Sequence, residues 1–83
     1  MEPRVEATDV AKVVQALENG IRSELEVVAT ASLPLDRVQI ALTFLVEMGC
    51  AINAEGTLFR LTDNGNDMLK AANAAERERK GLS

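Results

Sequence analysis

The sequence predicts a mainly helical α+β domain in which one small β-hairpin lies between helices. Two observations lead to this fold class. Apolar residues recur at helical spacing in segments that start at capping residues or end at glycine. Residues 50–61 instead form two short apolar runs around a glycine turn, which is typical of a hairpin. Because a chain of 83 residues cannot support two cores, we expect residues 1–83 to form a single domain.

The first predicted helix begins near Thr8, where Thr8 or Asp9 can accept hydrogen bonds from the first free backbone N–H groups. Its inward face is Val10, Val13, Val14 and Leu17. Asn19-Gly20 is predicted to end it, since glycine adopts the left-handed conformation at little cost. Residues 1–7 then form an N-terminal arm.

The second predicted helix begins at the stretch "SELE". Ser23 can accept from the Glu26 N–H while the Glu26 carboxylate accepts from the Ser23 N–H, which is a capping box. Its predicted inner stripe is Leu25, Val28 and Ala29. We expect this helix to be short, because Pro34 disfavours helical geometry at Leu33.

The third predicted helix runs from about Leu35 to Met48 and stops at Gly49, with Pro34 and Asp36 suited to its first turn. At about 100 degrees per residue, one face of this helix is apolar and is expected to be core. That face consists of Val38, Leu42 and Leu45, flanked by Ala41, Val46 and Met48.

The hairpin and the last helix complete the chain. Residues 50–53 and 57–61 are predicted strands joined by a turn that Gly56 closes, and Cys50 is expected to be a buried thiol. Thr62 is predicted to cap a final helix with Asp63 near its positive end. We expect the end of the chain, residues 77–83, to fray.

Four short motifs in this order resemble those of the winged helix-turn-helix domain of small bacterial and archaeal transcription regulators. They are "ALENG", "SELEVVA", "LVEMG" and "FRLTDNG". In that family a helix ends in a glycine turn, a short capped helix follows, the next helix ends in leucine-x-x-x-glycine, and the wing closes in leucine-threonine-x-x-glycine. The resemblance covers roughly residues 8–76. It implies a three-helix core, a two-stranded wing and a C-terminal helix.

The resemblance also implies a role. In the family the third helix enters the major groove of DNA and the wing touches the DNA backbone or the minor groove. The residues that would contact DNA here are Arg22, Arg37, Gln39, Thr43 and Arg60. Terminal helices commonly form the dimer interface in such regulators, and the alanine-rich run "KAANAAERERK" would permit close helix approach, so a homodimer is expected. A solvated helix end is the alternative for that run.

Charge argues against DNA binding. Between Arg22 and Arg60 there are three basic and five acidic residues, and the chain as a whole carries a formal charge of −4. Attraction to phosphates supplies the non-specific affinity of DNA-binding proteins. The sequence therefore leaves a second hypothesis, a winged-helix protein-interaction module that does not bind DNA.

Three apolar residues are candidates for the partner contact in this second hypothesis: Ile40, Phe44 and Leu58. Ile40 and Phe44 lie about 200 and 240 degrees around the third helix from Val38, away from the predicted core stripe. Adjacent exposed apolar side chains of this kind indicate a contact surface. Alternatively, Phe44 completes the core, since the chain has only two phenylalanines.

The sequence predicts a non-catalytic protein without a metal or cofactor. It contains no histidine, so imidazole catalysis and histidine metal sites are excluded, and it has no glycine-rich phosphate loop. Asp63 and Asp67 are explained by the positive end of the last helix. No segment approaches the roughly 18 consecutive apolar residues of a membrane helix, and the opening "MEPRVEATD" is unlike a signal peptide, so we expect a cytoplasmic protein.

Overall fold

The computed structural model of the protein describes the backbone of residues 5–18 and 20–81, and the side chains of these residues up to 78. The elements, in order, are α1 (Ala7–Ala16), β1 (Arg22–Ser23), α2 (Glu24–Ala31), α3 (Leu35–Glu47), β2 (Ala51–Glu55), β3 (Leu58–Leu61) and α4 (Asp63–Gly81). This order confirms the predicted fold class.

Some predictions fall partly on residues outside these ranges. They include Asn19 at the predicted end of the first helix, residues 1–4 of the predicted arm, and residues 82–83 of the end expected to fray. Within the described ranges, α1 is shorter than predicted, since it ends at Ala16 with Leu17 as its C-cap. Residues 77–81 belong to α4.

The wing contains a third strand that the sequence did not predict. The sheet is antiparallel with the order β1-β3-β2, and Arg22 and Ser23 pair with Phe59 and Leu58. The backbone of Ser23 is extended, as its role as the N-cap of α2 requires. The same extended backbone offers its polar groups to the open edge of β3. A two-residue strand has no alternation by which sequence could reveal it.

The β2–β3 hairpin was predicted correctly in its position. Ala51 pairs with Leu61 and Asn53 with Phe59, and the register then shifts at a bulge between Asn53 and Glu55. Gly56 has a φ of 55° in the turn, which only glycine adopts readily.

The core lies where α1, α2 and α3 meet. Its largest fully buried side chains are Leu17, Leu42, Leu45, Val13, Val14, Val27 and Val38. The predicted inward faces of the first and third helices are therefore confirmed. Val46 and Met48, which were predicted to flank the core, are instead 41% and 58% exposed.

The predicted inner stripe of the second helix is wrong. Leu25 is 71% exposed and Ala29 is exposed, whereas Val27 and Ala31 are buried. Val28 is half-buried and packs against the core. Most residues of this short helix are apolar or small, so periodicity did not select one face, and packing against α1 and α3 decided it.

The capping box predicted for α2 is confirmed, whereas the side-chain cap predicted for α1 is wrong. The capping box of α2 is present, with Ser23 Oγ accepting from Glu26 N and Glu26 Oε1 accepting from Ser23 N. At α1, however, Glu6 occupies the N-cap position and no side chain caps the helix. Thr8 and Asp9 lie inside the helix, and the Asp9 carboxylate is used elsewhere.

Thr62 joins α4 to the end of α3. Its N–H donates to Cys50 O at 2.9 Å and its hydroxyl donates to Gly49 O at 2.6 Å. The same hydroxyl oxygen accepts from Gly65 N at 3.2 Å, so Thr62 caps α4 as predicted. Gly65 lies against the Cys50 carbonyl so closely that a Cβ atom there would overlap the carbonyl oxygen. Cys50 is a buried free thiol, also as predicted.

A second link holds α4 to α1. Gln15 Nε2 donates to Asn73 Oδ1 at 3.2 Å and to Glu76 Oε2 at 3.0 Å. Leu69 of α4 is buried, whereas Ala74 and Ala75 are exposed. The first half of α4 thus contributes to the core, and the exposed alanines lie in its second half.

We expect Gly65→Ala to destabilise the fold by roughly 1–3 kcal/mol, the usual cost of forcing an extra group into a packed site. The reason is that the added methyl group meets a backbone carbonyl, which cannot move aside as a flexible side chain can. Urea unfolding followed by circular dichroism measures the change. Asn66→Ala, an exposed position in the same turn, is the control and should stay near wild type. Equal stability of the two variants would contradict the prediction.

Candidate functional site: the outward face of α3

The buried side of α3 determines which of its residues face outward. Pro34 forms the N-cap with an extended backbone, and the helix then packs on α1 and α2 through its buried side. That buried side is Val38, Ala41, Leu42 and Leu45. We define the outward face as six residues, of which Ile40 and Phe44 are half-buried and the rest exposed: Asp36, Gln39, Ile40, Thr43, Phe44 and Glu47. Leu35, Arg37 and Val46 of α3 are also exposed.

The Arg37 guanidinium is engaged by a carboxylate of α1. Its Nε donates to Asp9 Oδ2 at 2.8 Å and its Nη2 to Asp9 Oδ1 at 2.7 Å, a bidentate ion pair between α3 and α1. The Asp9 side chain is only 7% exposed, while that of Arg37 is 46% exposed. These hydrogen bonds and the charge of Asp9 raise the pKa of the Arg37 guanidinium above its usual value, so Arg37 stays charged at every pH of interest.

Two more of the predicted DNA contacts have acidic neighbours. Arg22 Nη1 lies 3.5 Å from Glu26 Oε2, one helical turn away. Gln39 Nε2 donates to Glu24 Oε2 at 3.5 Å. Both contacts are long and exposed, so neither contributes much to stability. Each nevertheless places a carboxylate beside a donor that DNA would need.

Thr43 and Arg60 remain exposed, on α3 and β3 respectively. The five predicted DNA-contact residues lie on three elements, and the guanidinium of one of them is paired with a carboxylate of α1. Arg37 faces α1, Arg22 lies on β1, Arg60 lies on β3, and only Gln39 and Thr43 share the outward face of α3.

Ile40 and Phe44 line one groove together. We call it the Ile40–Phe44 groove, an open depression of about 410 Å³ whose lining residues are Val5, Asp36, Gln39, Ile40, Thr43, Phe44 and Glu47. Phe44 also packs against the core, so both interpretations made from the sequence apply to it in part. Leu58, the third candidate for partner binding, is half-buried on β3 and does not line this groove.

A second depression lies on the other side of the same helix face, between α3 and the wing. This wing groove has a volume of about 630 Å³ and is lined by Glu24, Gln39, Leu42, Thr43, Val46, Glu47, Asn53 and Phe59. None of its apolar members, Leu42, Val46 and Phe59, was predicted to be a site residue. Val46 was predicted to flank the core stripe, so its helical position indicated burial and not a surface role, and Val5 lies before α1, outside any periodic pattern.

Both grooves carry negative charge. Asp36 and Glu47 line the first, Glu24 and Glu47 the second, and none of the described residues that line either groove is basic. The described residues include no group of three acidic or sulfur side chains placed to hold a metal ion. No helix in the described part of the chain is both long and apolar enough to cross a membrane.

Comparison with known proteins shows the fold. No protein-family model and no curated protein matches the sequence. Among solved structures, the chain is similar to the crystal structure of a MarR family transcriptional regulator from Silicibacter pomeroyi DSS-3, with a TM-score of 0.74 and 15% sequence identity. The match covers 95% of this chain and 58% of the regulator, so this chain spans little more than half of its length. The fold is thus a winged helix.

We expect Arg37→Ala and Asp9→Asn each to lower the thermal midpoint by several degrees, because the first leaves a buried carboxylate without its partner and the second removes the charge that the guanidinium binds. The double variant should lose less than the sum of the two, since each single change already breaks the same pair. Thermal unfolding of the four proteins measures this coupling. Arg60→Ala, at an exposed arginine, is the control; strictly additive losses would show that the pair is not coupled.

Proposed function

We propose that the protein is a non-catalytic regulatory module of winged-helix type that binds a protein partner through the outward face of α3. The Ile40–Phe44 groove is the observation that carries this proposal. It combines two half-buried apolar side chains with a rim of polar and acidic residues. Protein interfaces have this organisation, with an apolar centre and a polar rim.

The charges support a protein partner over DNA. A winged helix that reads DNA needs cations for phosphates and free donors for base edges. Here the Arg37 guanidinium is committed to Asp9, and the Gln39 amide lies beside Glu24. Glu47 is exposed on the same face, where it would repel phosphates. A protein surface is not uniformly anionic and meets no such penalty.

A dimeric DNA-binding regulator is the second candidate. The likeness to a MarR family transcriptional regulator favours it, as do the exposed Thr43 and Arg60. The exposed alanines in the second half of α4 would suit a helix–helix dimer contact. If the protein is such a regulator, a second copy would have to supply the affinity for DNA that the acidic face of one copy lacks.

A titration with random-sequence duplex DNA separates the two candidates. We expect no salt-sensitive binding at low or at moderate salt, because the outward face of α3 is acidic and its guanidinium is paired. Fluorescence anisotropy of labelled duplex gives the affinity, and light scattering gives the oligomeric state. Salt-sensitive binding by a dimer that Arg60→Ala abolishes would instead favour the DNA-binding regulator.

Site-specific photo-crosslinking in cells gives the positive test of a protein partner. A photoreactive amino acid replacing Thr43, on the outward face of α3, should trap a discrete protein in a product that nuclease treatment leaves unchanged. The same amino acid replacing Ala29, an exposed position on α2, is the matched control and should not trap that protein. Equal products from both positions, or a product that nuclease removes, would count against docking through α3.

A further inference from the structure

We propose that the partner segment is an amphipathic helix with two large apolar anchors one turn apart and a Lys or Arg toward each end, lying along α3 in the Ile40–Phe44 groove. This inference rests on the proposed function and names the chemical class of its partner. It follows from the spacing of the apolar groups in the groove and from the placing of its charges.

The apolar floor of the groove has helical spacing. Ile40 and Phe44 are four residues apart on α3, so their side chains lie about 5–6 Å apart on one face. Val5, from the segment before α1, forms part of the lining with them. A helix laid into such a groove inserts side chains at i and i+4. Two large anchors therefore fit the floor better than an extended peptide, whose side chains alternate between faces.

The acidic residues stand at the two ends of the groove. Asp36 and Glu47 both line it, and eleven positions along an α-helix correspond to about 16 Å. None of the described residues that line the groove is basic. Charge complementarity therefore favours a cation near each end of the partner helix, with the apolar anchors between the two cations.

The two ends are not equivalent. Asp36 lies in the first turn of α3, where the positive end of the helix dipole partly offsets its charge. Glu47 is the last residue of α3, where the negative end of the dipole adds to its charge. The Glu47 end should therefore attract the partner's cation more strongly.

A second copy of this chain fits the groove poorly. The longest helix is α4, and its exposed residues between Lys70 and Arg77 include no large apolar side chain: they are Ala71, Ala74, Ala75 and Glu76. Alanine anchors would leave the space over Ile40 and Phe44 unfilled. Lys70 and Arg77 are also only seven residues apart, about 10 Å along a helix, which is shorter than the distance between Asp36 and Glu47.

Three synthetic helical peptides test the inference. The first carries leucine anchors at i and i+4 and a lysine toward each end, eleven positions apart. The second replaces the lysines with glutamates, and the third replaces the leucines with serines. Amide NMR spectra of the labelled protein locate binding, and fluorescence anisotropy of labelled peptide gives the affinity. We expect the lysine peptide to shift the amides of α3 and to bind about tenfold more tightly than either of the others.

Variants of the protein then assign the contacts. Glu47→Gln should weaken binding of the lysine peptide by more than Asp36→Asn does, and both losses should shrink as salt rises. Ile40→Ser should weaken binding strongly, whereas Leu25→Ser, at a more exposed apolar residue on α2, should leave the affinity unchanged. Thermal midpoints confirm that each variant remains folded. Equal affinity of Ile40→Ser and wild type would overturn the inference.

The outcomes separate this inference from the proposed function. If the glutamate peptide binds the α3 face as tightly as the lysine peptide, the chemistry assigned to the partner is wrong and docking through α3 stands. If the lysine peptide does not shift the α3 amides while duplex DNA does, both proposals fall. Self-association that shifts the same amides would identify a second copy as the occupant and would also overturn the inference.

Discussion

The bidentate ion pair between Arg37 and Asp9 is the interaction on which the proposed docking surface depends. It joins the first turn of α3 to α1, and a carboxylate as buried as that of Asp9 requires such a partner. The Arg37–Asp9 ion pair and the burial of Val38 and Leu42 require the same rotation of α3 about its axis. At that rotation Ile40 and Phe44 line the groove beside Val5, and the Arg37 guanidinium is paired with Asp9 although its side chain is 46% exposed.

Local signals in the sequence were sufficient for much of the fold. The capping box at Ser23, the threonine cap at Thr62 and the glycine in the wing turn each act within a few residues, so the chain reveals them directly. Tertiary choices were not visible in the same way. The inward face of α2, the pairing of Arg22–Ser23 with β3 and the exposure of Met48 all depend on neighbours distant in the chain. Asp9 showed the same limit: its position near a helix start indicated a cap, and only the packing of α1 on α3 revealed Arg37 as its partner.

The sequence predicted which helix carries the candidate site, but it did not predict all of the residues that line it. Helical angles alone placed Ile40 and Phe44 together, and the structure finds them in one groove. Those angles could not show that Phe44 both packs on the core and lines a surface, because this depends on the width of the gap between α1 and α3. Val5 had no pattern to indicate it. The charge count between Arg22 and Arg60 did include acidic residues of the candidate site, since the acidic residues that line the two grooves are Glu24, Asp36 and Glu47.

The bulge in β2 bears on how the chain avoids self-association. In the sheet order, β2 is an edge strand, and an exposed edge is a template for further strands from other molecules, as in amyloid growth. Here the bulge between Asn53 and Glu55 interrupts the regular ladder, and the glutamate adds a repelling charge where a neighbouring strand would approach. The edge strand of the wing thus carries two features, a bulge and an acidic side chain, that disfavour its pairing with the wing of another molecule.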